Sequence, residues 1–326
     1  MNDSYTIRRF RDDDFAAEAR IETLVFPVQP VSEEECRTWD RTVRNTGLFK
    51  EALVADETSS GKVAATGAVS HAPFSYDPDW YWVSVGVDPS HQHQGIGTEL
   101  YRRLESTAVR RGAKGLWAAV QESQPRSVTF FERAGFYEQR RGWVSELDLT
   151  GPPTDFQLGP SGPTDYPGIQ LTTLAEMDPN RPETIERLYR LDRDAGQDAP
   201  RMGPANNATL EQFCEITLDP GTFLPEGIFV ARVGDEFVSM TTLCRLPAEP
   251  KALWTPFTGT RKEYRGRGLA LALKRRAIAF ARSRGYHYIR TGNDSLNAPM
   301  WSINERLGFQ KKQTMIFGEK KLKPPI

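Results

Sequence analysis

Cysteine is scarce: the 326 residues hold three, Cys36, Cys214 and Cys244, far apart and odd in number. That excludes a disulfide framework and fits a reduced cytoplasm. No Cys-His pattern surrounds them, so inert packing is expected. An excess of charge of either sign is also missing, since 42 Lys+Arg face 43 Asp+Glu and leave −1. Coating nucleic acid or gripping an anionic membrane needs a marked basic surplus, so neither partner is expected. No apolar run approaches 18 residues and the mean hydropathy is −0.54, which leaves no candidate spanning helix. The opening MNDSYTIRRFRDDD lacks the apolar core of a secretory signal, so a cytoplasmic location is expected. His91 and His93 stand two apart with no third ligand near them, so no metal site is expected. What is present, 38% apolar and 10% aromatic residues, suffices for packed cores, and the length corresponds to about two domains.

The two halves are one unit used twice. With an offset of 173, Val85 falls on Thr258 and the alignment runs ungapped to Phe136 over Phe309. Gly86, Gly95, Gly112 and Gly135 fall on Gly259, Gly268, Gly285 and Gly308. Shared glycine spacing means shared bends. Between the copies, residues 151–168 are rich in Pro and Gly and read as a linker, with domains at 1–150 and 169–326.

Alternation predicts strands at Tyr5–Phe10, 51–56, 62–70, Trp80–Val87 and Leu116–Val120, with two more in Phe136–Leu149. Helical patterns run through 12–45. Ile96, Leu100, Leu104 and Ala108 predict a long helix over Gly95–Arg111, and a short helix follows at 126–134. The second copy predicts strands over 228–244 and 287–291, and helices at 268–284 and 299–307. The expected class is α/β, with a mixed, mostly antiparallel sheet flanked by helices in each copy.

Each long helix follows a strand and a short loop. Copy one reads Val87, Pro89, Gln92, His93, Gln94, Gly95, Ile96, Gly97, Thr98; copy two reads Thr260, Arg265, Gly266, Arg267, Gly268, Leu269, Ala270. A helix start exposes unpaired N–H groups and the positive end of its dipole, and small residues let a phosphate approach. The pattern is neither a Walker loop nor a dinucleotide fingerprint.

With Gly-Phe following 40 residues after the loop glycine in both copies, the chain resembles the GNAT acyltransferase superfamily, as two tandem domains. The resemblance implies acetyl-CoA as co-substrate, its pyrophosphate on the loop and its pantetheine arm in a gap beside the motif strand (Val83–Val87 or Pro256–Thr260). Backbone N–H groups near Val85 and Val87, or Thr258 and Thr260, would polarise the thioester carbonyl. A small-molecule primary amine would attack directly in a ternary complex, within an intrachain pseudo-dimer of the two domains.

The departures are specific. Where the family often has a catalytic Tyr, four residues before Gly-Phe, this chain has Phe131 and Asn304. Asn304 donates hydrogen bonds but is not an acid. The motif strands carry no carboxylate, so Glu122 and Asp294 are the candidate bases. Asn297 matches the family's cofactor-binding Asn, with Gln124 in the same slot of copy one. It equally suits a helix N-cap before Pro299. Asn293, Asn297 and Asn304 together point to copy two as the catalytic half, with copy one still able to bind cofactor. A non-catalytic acyl-CoA sensor and an aminoacyl or acyl transferase with a larger donor stay open as alternatives. Trp80–Trp82 reads as strand packing, and Glu319–Lys323 as a solvated strand end.

Overall fold

The computed structural model describes residues 4–72, 76–159, 166–204, 208–219 and 221–322. The elements are β1 (Tyr5–Arg9), α1 (Phe15–Val25), α2 (Glu33–Asn45), β2 (Lys50–Glu57), β3 (Val63–Ser70), β4 (Trp80–Val87), α3 (Ile96–Arg110), β5 (Gly115–Gln121), α4 (Pro125–Arg133) and β6 (Tyr137–Asp148). Then come α5 (Asp155–Leu158), β7 (Gln170–Thr173), α6 (Pro182–Gly196), α7 (Leu210–Thr217), β8 (Ile228–Val233), β9 (Glu236–Thr242), β10 (Cys244–Arg245), β11 (Ala252–Thr255) and β12 (Thr258–Thr260). The chain ends with α8 (Leu269–Ser283), β13 (Tyr288–Asp294), α9 (Ala298–Arg306) and β14 (Gln310–Lys321).

Two compact units result. Unit 1 holds Met1–Arg141, Arg201–Asn206 and Gln313–Ile326; unit 2 holds Gly142–Pro200 and Asn207–Lys312. A single cut between residues 150 and 169 therefore does not separate them. In unit 1, β1 to β4 pair antiparallel in sequence order, β5 joins β4 in parallel, and β14 pairs antiparallel with β5 from Met315↔Gln121 to Lys321↔Gly115. In unit 2, residues 142–148 of β6 pair antiparallel with β13, which runs parallel to β11. A second sheet orders β12, β9, β8 and β7, all antiparallel. Residues 142–148 and 315–321 are equivalent under the 173-residue offset, so each unit is completed by the other repeat's last strand.

The glycines carry the repeat into the backbone. Gly95 and Gly268 have φ of 83° and 80°, Gly112 and Gly285 of 79° and 73°, and Gly135 and Gly308 of 91° and 94°. Three expectations need correction. Phe136–Leu149 is one strand, not two. Pro256 interrupts the motif strand of copy two, leaving β11 and β12 in different sheets, because proline cannot donate to a ladder. The linker is not free throughout: in α5, Gln157 is buried and donates to the Leu307 carbonyl at 2.8 Å, while Phe156 sits under Arg275 and Arg306. Residues 160–165 of that linker and Lys323 lie outside the described residues. The Lys-rich end up to Lys321 is a paired strand, with Glu319 opposite Trp117.

A chain ending at residue 150 keeps the whole first repeat but lacks β14. That leaves β5 as an open edge and uncovers Phe131, which packs into the space over Gly318. The truncated chain is expected to lose its cooperative thermal transition by circular dichroism and to aggregate, whereas the full chain melts cooperatively.

Candidate active site

Unit 1 opens a gap in its own sheet. The parallel pairing of β4 with β5 covers only Trp80↔Gly115, Tyr81↔Leu116 and Trp82↔Trp117. Beyond it the strands part. Asp88 N–H donates to the Ala64 carbonyl at 2.9 Å, toward β3, so the alternating backbone turns Val85 and Val87 toward the gap.

The loop after β4 is built to stay open. Asp88 accepts the Ser90 N–H at 2.9 Å and its O–H at 2.6 Å, and pairs with Arg20 of α1. These contacts hold its carboxyl well below the ordinary range, at about 2, against the opposing cost of burial. Gln92 donates to the Val87 carbonyl at 3.2 Å. His93 takes a left-handed φ of 66°, uncommon for a residue with a side chain. In copy two the same place is Gly266, at 76°. Nothing lies within 4 Å of a Cβ built on Gly95, while one on Gly97 would meet Val87 at 3.3 Å.

These parts enclose a cavity of about 370 Å³, within the usual size of a ligand pocket. Val85, Val87, Gln92, His93, Gly95, Ile96, Gly97, Thr98 and Gln124 all line it, together with Arg126, which reaches the His93 ring. Gln94 does not line it; its side chain accepts the Tyr5 hydroxyl at 2.8 Å. Phe131 lines it as a buried ring stacked on Phe136 at 5.0 Å and supplies no proton. Tyr101 lines it too, but donates its O–H to Glu105 at 3.0 Å, and burial pushes its pKa up.

The remaining wall is α1, tied at its middle by Arg20 to Asp88 and at its C-terminal end by the Gln121 amide donating to the Val25 carbonyl. It brings Glu18 and Glu22 into the cavity. Sequence reasoning did not single these out as site residues. Their i,i+4 spacing was the available signal, but only the two tertiary ties say which way that face points. Burial raises the Glu18 carboxyl to about 7; Glu22, Asp40 and Asp14 push the same way and Lys50 opposes. Glu22 is open to solvent at the mouth yet recessed among protein atoms, and burial raises it as well.

The other expected bases stand elsewhere. Glu122 pairs on the exposed surface with Arg141, outside the cavity lining. Asp294 accepts the Leu296 N–H at 2.9 Å in a turn. Asn297 accepts the Met300 N–H at 3.3 Å as an N-cap. Asn304 is 1% exposed and donates to Asn293 at 2.7 Å, while Asn293 donates to Ser145 at 2.6 Å. Asn304 and Asn293 thus form a hydrogen-bonded chain joining α9, β13 and β6, while Asn297 caps α9.

The loop of unit 2 is more occupied. Arg265 pairs with Asp198 at 2.8 Å, and Arg267 donates to the Glu263 carbonyl at 3.2 Å and lies over Tyr264. The hydroxyls of Thr258 and Thr260 bond to Thr241 and Ser239, each at 2.7 Å. The Tyr166 hydroxyl lies 3.7 Å from a Cβ built on Gly268. Leu269 is buried, and Gly266 and Ala270 complete a loop of the same course as in unit 1. Among the described residues no helix is long and apolar enough to cross a membrane, and no cluster of three His, Cys, Asp or Glu side chains could hold a metal ion.

The sequence model of the Acetyltransferase (GNAT) family matches residues 16–136 and again 185–309. A [Ribosomal protein bS18]-alanine N-acetyltransferase of Escherichia coli strain K12 is 34% identical over 67 residues, 20% of this chain. The match spans only 45% of that relative's length. A GCN5-related N-acetyltransferase from Sphaerobacter thermophilus superposes with a TM-score of 0.73 over 100% of this chain and 98% of its own, at 23% identity. A tandem GNAT protein from the clavulanic acid biosynthesis pathway gives 0.73 over 99% and 100%, at 16% identity. At such identity these two likenesses establish the fold.

Proposed function

The chain belongs to the acetyltransferase (GNAT) family, in two copies, and is an acyltransferase of it; on that premise we propose that unit 1 transfers acetyl from acetyl-CoA to a primary amine of a small molecule. One observation carries the reading: a single cavity joins a phosphate-sized loop at a helix start, a strand gap and two recessed carboxylates. The loop and first turn of α3 would bind the pyrophosphate through backbone N–H groups, with Arg126 adding charge. Val85 and Val87 would pair with the pantetheine arm, and their N–H groups would stabilise negative charge developing on the thioester oxygen. Glu18 and Glu22 would bind the incoming ammonium and accept its proton. Holding both reactants side by side supplies about 7–11 kcal/mol of the barrier.

The test is thiol release from acetyl-CoA with a panel of amines, alongside calorimetric binding of acetyl-CoA. Absence of binding ends this reading. Free-enzyme groups govern the pH dependence of kcat/KM. Glu18 works ionised and titrates at about 7, so kcat/KM is expected to climb through pH 7. Glu18→Gln should lower kcat/KM roughly 10- to 100-fold and remove that bend; a bend that persists assigns it to another group.

A further inference from the structure

Several acidic side chains around α1 and α2 are matched to cations, whereas Glu18 and Glu22, which line the cavity, are not. Asp14 is held by Arg8 at 2.7 Å, Asp40 by Lys50 at 2.8 Å, Glu33 by Arg37 at 2.7 Å, and Asp88 by Arg20. Glu18 and Glu22 have no ion-pair partner among the described residues; the Cys36 thiol, 3.9 Å from Glu22, is the one polar contact recorded for either side chain. They lie one turn apart on one face of α1, about 6 Å along the axis.

Lys50, bonded to Asp40, offsets the two carboxylates only in part: burial still raises both, and Glu22 pushes Glu18 up, so the two repel each other. A ligand with a single cation answers one and leaves the other uncompensated. We propose that the acceptor is a short α,ω-diamine with cationic centres about 6 Å apart, its far nitrogen on Glu18 and its reacting nitrogen beside Glu22. The proposal rests on the reading of unit 1 as an amine acetyltransferase.

The order of the two follows from packing. A Cβ on Gly86 would meet Ile21 at 3.1 Å and Val25 at 4.0 Å, so the last turns of α1 lie over the gap strand. Glu22 stands between those residues in sequence, and Glu18 is one turn further back. The Glu22 carboxylate takes one proton from the nearer ammonium. The freed nitrogen pair forms the C–N bond to the thioester carbon. The C–S bond breaks with its electron pair going to sulfur; of the two protons left on nitrogen, one passes to that sulfur to give the thiol and one stays in the amide N–H. The far ammonium stays charged on Glu18. Once one end is an amide, the reversed molecule has no cation for Glu18, so acetylation stops at one end.

The experiment compares 1,4-diaminobutane, butylamine and 4-aminobutanoate by thiol release, with products identified by mass spectrometry. The diamine is expected to exceed butylamine in kcat/KM by at least tenfold, with 4-aminobutanoate below both and the product singly acetylated. Glu18→Gln is expected to raise KM for the diamine at least tenfold and bring the diamine-to-butylamine ratio near one. Parity of butylamine with the diamine in the unaltered protein, a preference for 4-aminobutanoate, or efficient double acetylation overturns the diamine proposal alone. Silence with every amine overturns the enzymatic reading as well.

Discussion

Gly97→Glu is expected to abolish acetyl-CoA binding and lower kcat/KM roughly a thousandfold, while Ala270→Glu, the matching place in the second repeat, leaves it within a few fold. Gly97 is the second residue of α3 and lines the cavity. With Val87 3.3 Å from a Cβ there, a longer side chain must extend into the cavity. A carboxylate in the phosphate cradle sets like charges together, which costs several kcal/mol; about 4 kcal/mol is a factor of a thousand. Gly97 tests this more cleanly than Gly95, whose left-handed φ of 83° strains any side chain. Calorimetric stoichiometry with each variant, and thermal melts to confirm folding, decide the matter. Loss of turnover in Ala270→Glu with retention in Gly97→Glu assigns catalysis to unit 2 instead.

The proposal of unit 1 departs from the expectation drawn from the sequence, which favoured the second copy. The repeat was legible because its bends depend on local backbone demands: Gly95 and Gly268, or Gly135 and Gly308, sit at nearly the same φ. The tight loop before each long helix was legible on the same grounds. The choice between copies was not. Asn293, Asn297 and Asn304 are polar and regularly spaced, but polarity does not tell whether a side chain meets a ligand or another side chain. Here they cap a helix and bond to each other and to Ser145. Glu18 and Glu22 carry little local signal, because their position depends on Arg20 reaching Asp88 and Gln121 reaching Val25, 68 and 96 residues away. The exchanged last strands were invisible for a different reason. Residues 142–148 and 315–321 are equivalent strands of one repeat, so either fits either sheet without changing the pattern of alternation.

Lys274→Met should stabilise unit 2 by about 1 kcal/mol at pH 7, the burial penalty less the attraction to the Phe309 ring. Lys274 is 4% exposed on the buried face of α8 and makes no hydrogen bond or ion pair among the described residues; its Nζ lies 5.4 Å from the centroid of the Phe309 ring. Its counterpart in unit 1 is Tyr101, whose hydroxyl donates to Glu105 and accepts from Lys320 at 3.1 Å. At the positions matching Glu105 and Lys320, unit 2 has Ile278 and Leu147, so the polar partners are gone while a charge has been introduced. Burial accordingly lowers the Lys274 ammonium from 10.5 to about 8. Between pH 8 and 10.5 the unfolded chain holds a proton that the folded chain has released, so stability rises with pH across that window. Below pH 8 the whole penalty is present, offset by about 2 kcal/mol from the Phe309 face, since the cation is desolvated. Methionine fills nearly the same volume without the charge. The melting temperature of Lys274→Met is therefore expected to exceed that of the unaltered protein by roughly 2–4 °C at pH 7. The advantage should shrink as pH is raised from 8 toward 10.5. Paired melts at pH 7 and pH 9.5 measure both the gain and its decline. A lower melting temperature at pH 7, or a gain indifferent to pH, shows instead that the ammonium is compensated in solution and contributes to the folding of unit 2.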